Sequence, residues 1–353
     1  MLKLRTNILS AAVMSITLVM GFGLGLPSCS TSNDPIDESI DLGTLPDSVE
    51  MEYPMVIEEA YYITGSINGW NNSDTTYELS NGGDDPYENP VFTVLIPGSV
   101  VTGDFEFKVT PKSGIGGDWS KCLTASDTEG VFATDNAGGN LKVSYVEGAN
   151  WYRITFNMLD QTWSATGLSF GEYFYEIGNE SGWGTSHALY GPDKDGKYTG
   201  FYYLDGEFKF KPNADSWDDD LEYCGGTDTG GTLSADGGPN CPDPGAGFYK
   251  IDLDAGALTY KLTKIESVSI TGNFNEWSGD VEMTYNQAND CWEVTTDQVS
   301  GEFKLRANHD SAISWGGDAN GLTLGGANLS IASGTHTFRL YLSYDGAHRL
   351  TIE

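Results

Sequence analysis

The sequence predicts an all-β protein of three tandem antiparallel β-sandwich modules. Three observations predict it. One ordered set of short motifs occurs three times. Inside those motifs apolar and polar side chains alternate with a period of two. Between them lie Gly-, Asn- and Asp-rich turns, and no amphipathic helix follows the N-terminal apolar stretch.

The motifs run in a fixed order. First comes a strand entering a Trp-bearing turn: YYITGSINGW ending at Trp70, YFYEIGNESGW ending at Trp183 and SVSITGNFNEW ending at Trp277. A Gly-led alternating strand follows, GDFEFKV at 103–109, GEFKFK at 206–211 and GEFKLR at 301–306. Then come a second Trp (Trp119, Trp217, Trp315), a Gly-Gly turn leading to Asn140, Asn240 or Asn328, and a closing alternating hairpin. Alternation places Phe105, Phe107, Phe208, Phe210, Phe303 and Leu305 toward the cores and the intervening lysines outward. Each copy spans about 98 residues, the size of a small sandwich. The expected modules are 57–168, 170–264 and 265–353.

The chain before them reads as export and attachment. Lys3 and Arg5 precede an uncharged, mostly apolar stretch from Ile8 to Leu26, then Leu26-Pro27-Ser28-Cys29. The stretch is just long enough to span a bilayer, so a retained membrane helix is one reading. The small residue and Cys at its exit favour a cleaved signal over 1–28. An acidic, unpatterned tether over 29–56 follows.

Composition narrows the partners. The chain has 353 residues, with 18 Lys and Arg against 51 Asp and Glu, a formal charge of −33. Without a basic run, nucleic acid and anionic membrane surfaces are excluded. A neutral ligand suffers no such repulsion. Of five Cys, Cys224 and Cys241 lie 17 apart in a Gly- and Asp-rich stretch, and a disulfide there would contribute about 3 kcal/mol. Cys122 and Cys291 have no evident partner, and no CxxC pair points to zinc.

The recurring chemistry is two indoles, an outward Lys and a turn Asn. Indole faces cover the C–H patch of a sugar ring at small entropic cost, while an ammonium and an amide bridge its hydroxyls. Taken singly, each residue has an ordinary explanation: a core Trp, a solubilising strand Lys, a turn Asn. Their threefold combination carries the signal.

These motifs, behind a lipobox-like Cys29, resemble the SusE and SusF outer-membrane starch-binding lipoproteins. Single modules are also similar to the glycogen-binding module of the AMP-activated kinase β subunit. The resemblance covers roughly residues 55–353 and implies immunoglobulin-like or starch-binding-like sandwiches, no cofactor, and no catalysis. It implies lipidation of Cys29, an outer-membrane, outward-facing location, and a polysaccharide partner, α-glucan first, held for a SusC/SusD-like uptake complex. Its ligand contacts fall on Trp70, Lys108, Trp119 and Asn140 in the first copy. They fall on Trp183, Lys209, Lys211, Trp217 and Asn240 in the second, and on Trp277, Lys304, Arg306, Trp315 and Asn328 in the third. The first copy departs by carrying Thr110 where the others have Lys211 and Arg306, and the non-binding leading domain of SusE and SusF suggests a spacer role for it. The second has a Lys-to-Trp spacing of 8 against 11 and an acidic insertion, Asp218-Asp219-Asp220.

Rival readings are a different neutral glycan such as inulin or xylan, an adhesive protein whose aromatic platforms are buried, and an enzyme. No HExxH, GxSxG or phosphate-loop pattern supports the last. His187, His309, His336 and His348 occupy non-corresponding places and read as surface residues. Asp193-Lys194-Asp195-Gly196 and Asp218-Asp219-Asp220 do not continue into calcium loops.

Overall fold

The structure is a computed structural model that describes residues 54–212, 222–235, 237–318 and 321–353, with the backbone alone of 3–6 and 49–52. Cys29, Trp217 and Asp218-Asp219-Asp220 lie outside the described residues. Half-buried alternation becomes antiparallel sheet throughout, and among the described residues the only helical turns are short 3-10 segments.

By compactness the chain falls into two units. One combines the described part of Met1–Val94 with Gly103–Ser144 and Ile154–Ala165; the other combines Leu95–Thr102, Tyr145–Arg153 and Thr166–Glu353. In the first, the four-stranded sheet runs Glu78–Leu79, Tyr61–Gly65, Phe105–Pro111, Leu141–Val143. A bridge between Ser80 and Thr93 leads from its edge to the three-stranded sheet Val91–Pro97, Trp151–Asn157, Thr162–Leu168, of which residues 91–94, 154–157 and 162–165 belong to this unit. Phe107, Phe156 and Trp163 meet in its core, Trp163 stacking on Phe156 at 5.9 Å.

The second unit holds two larger sheets. The eight-stranded one runs Phe208–Lys211, Tyr173–Gly178, His187–Tyr190, Lys197–Leu204, Gly247–Asp254, Thr259–Ile265, then Gly230–Ser234 and Cys224–Thr227. The other contains Gly301–Ala307, Val268–Gly272, Val281–Asn286, Cys291–Thr296, His336–Tyr341 and Arg349–Ile352 in spatial sequence. The same order thus occurs three times: the Gly-led strand, the Trp-turn strand, two further strands, then the closing hairpin.

The alternation reading holds. Phe105, Phe107, Phe208, Phe210, Phe303 and Leu305 are all buried. Their neighbours on the Trp-turn strand pair in one register: Gly65 opposite Phe107, Gly178 opposite Phe208, Gly272 opposite Phe303. The fit is tight at the glycine. A Cβ on Gly272 would lie 2.3 Å from the Glu302 carbonyl oxygen, and one on Gly65 the same distance from that of Glu106. Gly272→Ala should therefore destabilise the protein by about 2 kcal/mol, read from urea unfolding followed by Trp fluorescence.

Candidate glycan-binding site

The turn after each such glycine is built alike. The Trp amide donates back to the glycine carbonyl, Trp70 to Gly65 at 2.8 Å, Trp183 to Gly178 at 2.8 Å and Trp277 to Gly272 at 2.9 Å. The glycine amide donates in turn to a polar side chain inside the loop: Asn68 Oδ1 at 2.9 Å, Ser181 Oγ at 2.9 Å and Asn275 Oδ1 at 3.0 Å. These bonds require two consecutive left-handed residues. Gly69, Gly182 and Glu276 have φ of 65°, 61° and 54°, and the tryptophans that follow have 59°, 58° and 60°. A bulky residue in that region is costly, and it is kept in all three turns. Trp183 and Trp277 are each 37% exposed, and Trp70 is half-buried. The Trp277 indole is anchored by its Nε1–H donating to Asn273 Oδ1 at 2.9 Å.

The outward Lys sits one register step from the glycine, Lys108 opposite Thr64, Lys209 opposite Ile177 and Lys304 opposite Thr271. All three are half-buried, but their partners differ. Lys108 donates to Asn136 Oδ1. Lys209 donates to Glu222 Oε2 at 2.6 Å, and that bond holds its ammonium above the ordinary lysine range. Among the described residues Lys304 has no hydrogen-bond or ion-pair partner.

The late Asn is braced in every copy by the Glu that precedes the core Phe. Asn140 Nδ2 donates to Glu106 at 2.8 Å, Asn240 to Glu207 at 2.9 Å and Asn328 to Glu302 at 3.2 Å. This leaves the amide oxygen and one N–H for a ligand. Sequence reasoning passed over these glutamates, although the Glu-Phe-Lys triplet occurs in all three strands.

Several expected contacts take other roles. Trp315 is no platform: it is fully buried, 5.2 Å from the Phe201 ring, and its Nε1–H has no partner among the described residues. Its strand pairs Trp315 directly opposite Leu305, and directly paired residues share a face, so the core residue carries the indole inward. Trp119 is half-buried at the start of a 3-10 turn capped by Asp118. Arg306 grips Asp280 with two bonds, Nε at 2.9 Å and Nη2 at 2.7 Å. Lys211 is buried, and Thr110 at the same place bonds the Thr64 hydroxyl at 2.9 Å. In the first and third copies this position bonds within its own module, Thr110 to Thr64 and Arg306 to Asp280, and in the second it is buried. The disulfide expected between Cys224 and Cys241 is not formed. Both are buried thiols, Cys224 directed at the Glu222 carbonyl at 3.4 Å, and burial pushes Cys241 up to about 12. His187 and His348 are not plain surface residues either. His187 meets the buried Glu176 at 2.5 Å, and His348 is buried.

Antiparallel sheets carrying outward Trp turns resemble known carbohydrate-binding modules, and the comparisons find that resemblance in part of the chain. The likeness is to SusF. Residues 56–167 match the family model described as SusF, first starch specific CBM, and residues 172–264 match a domain of unknown function, DUF8037. The fold is similar to the crystal structure of SusF from Bacteroides thetaiotaomicron, at 19% identity and TM-score 0.50, over 87% of this chain and 77% of that one. No curated protein matches the chain. The first copy, expected as a spacer, is thus the one matched by a model of a starch-specific module. Among the described residues no helix is long and apolar enough to cross a membrane.

The Arg306 assignment has a pH signature. The two guanidinium bonds hold the Asp280 carboxyl below the usual range, about 3.9 when unfolded. The stability this pair contributes is fully present above that value and is lost as pH falls through the lower folded one. Asp280→Asn should flatten the fall in urea-unfolding stability between pH 5 and pH 2. Arg306→Met should cost about 2 kcal/mol of stability while glycan affinity is retained.

Proposed function

We propose that this protein is a non-catalytic, cell-surface lipoprotein that holds a neutral polysaccharide, starch or another α-glucan, for an outer-membrane uptake system. In this reading three modules, 57–168, 170–264 and 265–353, each offer one site, and Cys29 carries the lipid. The observation that carries it is the third-copy pair. Trp277 presents a half-exposed, hydrogen-bonded indole, and Lys304 leaves its ammonium unspent on the strand beside it. An aromatic face beside a free cationic donor matches the C–H patch and hydroxyl rim of a sugar. The family match over the first copy supports α-glucan over inulin or xylan. The exposure of Trp183 and Trp277 speaks against a purely adhesive role with buried platforms.

A single turn platform gives a shallow site, and a millimolar site is worth about 4 kcal/mol. Retention then comes from several sites engaging one polymer chain. Trp277→Ala and Lys304→Ala should each weaken binding of maltoheptaose, measured by isothermal titration calorimetry, with little dependence on salt. Lys304→Ala should weaken it more than Lys209→Ala, because Lys209 must first be released from Glu222. Unchanged affinity after both third-copy changes would remove this site from the reading.

The location has its own test. Cys29→Ala should release the protein from the membrane fraction or leave its precursor uncleaved; unaltered anchoring and processing would overturn lipidation.

A further inference from the structure

The eight-stranded sheet carries a feature that the repeated motif does not explain. Across five adjacent strands one row of directly paired residues reads Tyr173, Tyr190, Thr199, Asp252, Lys261. Direct pairing puts all five on one face, and that face is the outer one. The residues beside them along the strands, Leu189, Tyr198, Ile251, Leu253 and Tyr260, point into the core. Four strand spacings make the row about 19 Å long, which suits an oligosaccharide better than a single sugar.

Within the same unit Tyr190, Thr199, Asp252 and Lys261 of this row line a cleft of about 540 Å³, together with Asp254, Leu324 and Asp345. That volume is typical of small-ligand sites. Next to Tyr190, Tyr173 and Tyr344 extend the aromatic end of the row, the Tyr344 ring 5.6 Å from Tyr173 and 5.8 Å from Tyr190. Tyr173 itself is 38% exposed. The polar end is ordered: the Thr199 hydroxyl donates to Asp252 at 2.9 Å, and Lys250 holds the same carboxylate at 2.6 Å. Lys261, in the cleft's lining, has no hydrogen-bond or ion-pair partner among the described residues, while Lys197 stands directly opposite Asp254 and attracts its carboxylate.

We propose that this cleft is a second kind of carbohydrate site, separate from the Trp turns, which takes a short stretch of a neutral oligosaccharide with sugar rings against the tyrosines and hydroxyls on the Thr199–Asp252–Lys261 end. The inference rests on the glycan-binding reading above and adds a site to it. The chemistry favours this ligand over others. Fixed carboxylates accept from hydroxyls and a free ammonium donates to them, so a ligand that is both donor and acceptor satisfies the row. Interspersed charges of both signs, on a chain of net charge −33, offer no field for a polyanion. An extended peptide would need an unpaired strand edge, whereas the row lies on a sheet face whose inner strands are paired on both sides.

The test separates the two kinds of site. In the full-length chain, Trp70→Ala, Trp183→Ala and Trp277→Ala are combined, and maltoheptaose binding is measured by calorimetry. Expected is a residual site that Tyr190→Ala weakens by about tenfold and that Lys261→Met also weakens. Lys261 is exposed, so its replacement leaves folding intact and keeps the test valid if Tyr190→Ala unfolds. Loss of all binding in the triple variant, when the unaltered chain binds, overturns the second site and leaves the turn sites standing. Residual binding indifferent to Tyr190 and Lys261 also overturns it. No binding by the unaltered chain to maltoheptaose, xylohexaose or inulin overturns both readings.

Discussion

The hydrogen bond from each turn Trp amide to the carbonyl of the strand-ending glycine ties the candidate ligand face to the protein core. The glycine lies directly opposite the Phe that follows the strand's Glu, and that Phe is buried in all three copies. The indole is therefore positioned through three links: core packing fixes the Phe, backbone pairing fixes the glycine, and the amide bond fixes the Trp backbone. The left-handed backbone of the Trp is the cost, and the bonds made by the glycine amide and the Trp amide offset it. What results is a platform whose orientation is set before any ligand arrives. A weak site gains most from such pre-organisation, because it has little interaction energy to lose to ordering.

On that shared backbone the copies diverge in what surrounds the lysine. An ammonium already bonded to a carboxylate must give up that bond to serve a sugar hydroxyl, and the exchange returns little net free energy. Lys209 is in that position with Glu222, Lys108 is held by a neutral amide, and Lys304 is unengaged. Identical strands can thus carry sites of graded strength, which a multivalent binder tolerates because the strongest site retains the polymer while weaker ones rebind it.

The sheet architecture and the inward set of phenylalanines were legible because alternation is local: Phe208-Lys209-Phe210 states its own two faces. The Trp turns were legible for the same reason, since the residues that close the loop lie within it. Trp315 was not. Its face depends on pairing opposite Leu305 across a register shift between Arg306 and Ala307, and one residue of slip reverses every side chain beyond it. The fates of Arg306 and Lys209 were hidden likewise, because Asp280 and Glu222 arrive from other segments. The row from Tyr173 to Lys261 draws one residue from each of five strands and leaves no pattern in any of them. For Cys224 and Cys241, separation along the chain was compatible with a bond, but their surroundings hold each as a buried thiol.

Charge ties these features together. With 51 acidic side chains against 18 basic ones, a cation on the surface has carboxylates on every side, and many take one: Lys112 with Glu59, Lys142 with Glu106, Lys194 with Glu172, Arg339 with Glu293. Others are spent on backbone or on rings, as Arg153 on the Gly256 carbonyl and Arg349 over Tyr341. An ammonium left without a partner in such a field is held there by geometry, since any nearby carboxylate would otherwise bind it. Among the described residues the lysines in that state are Lys261 and Lys304. Lys304 stands on the strand beside the exposed Trp277 turn, and Lys261 borders the tyrosine-ended cleft. A surface organised only for solubility would have no reason to leave its unpaired cations beside aromatic rings, whereas a surface that binds neutral, hydroxyl-rich ligands needs donors there that nothing else has claimed.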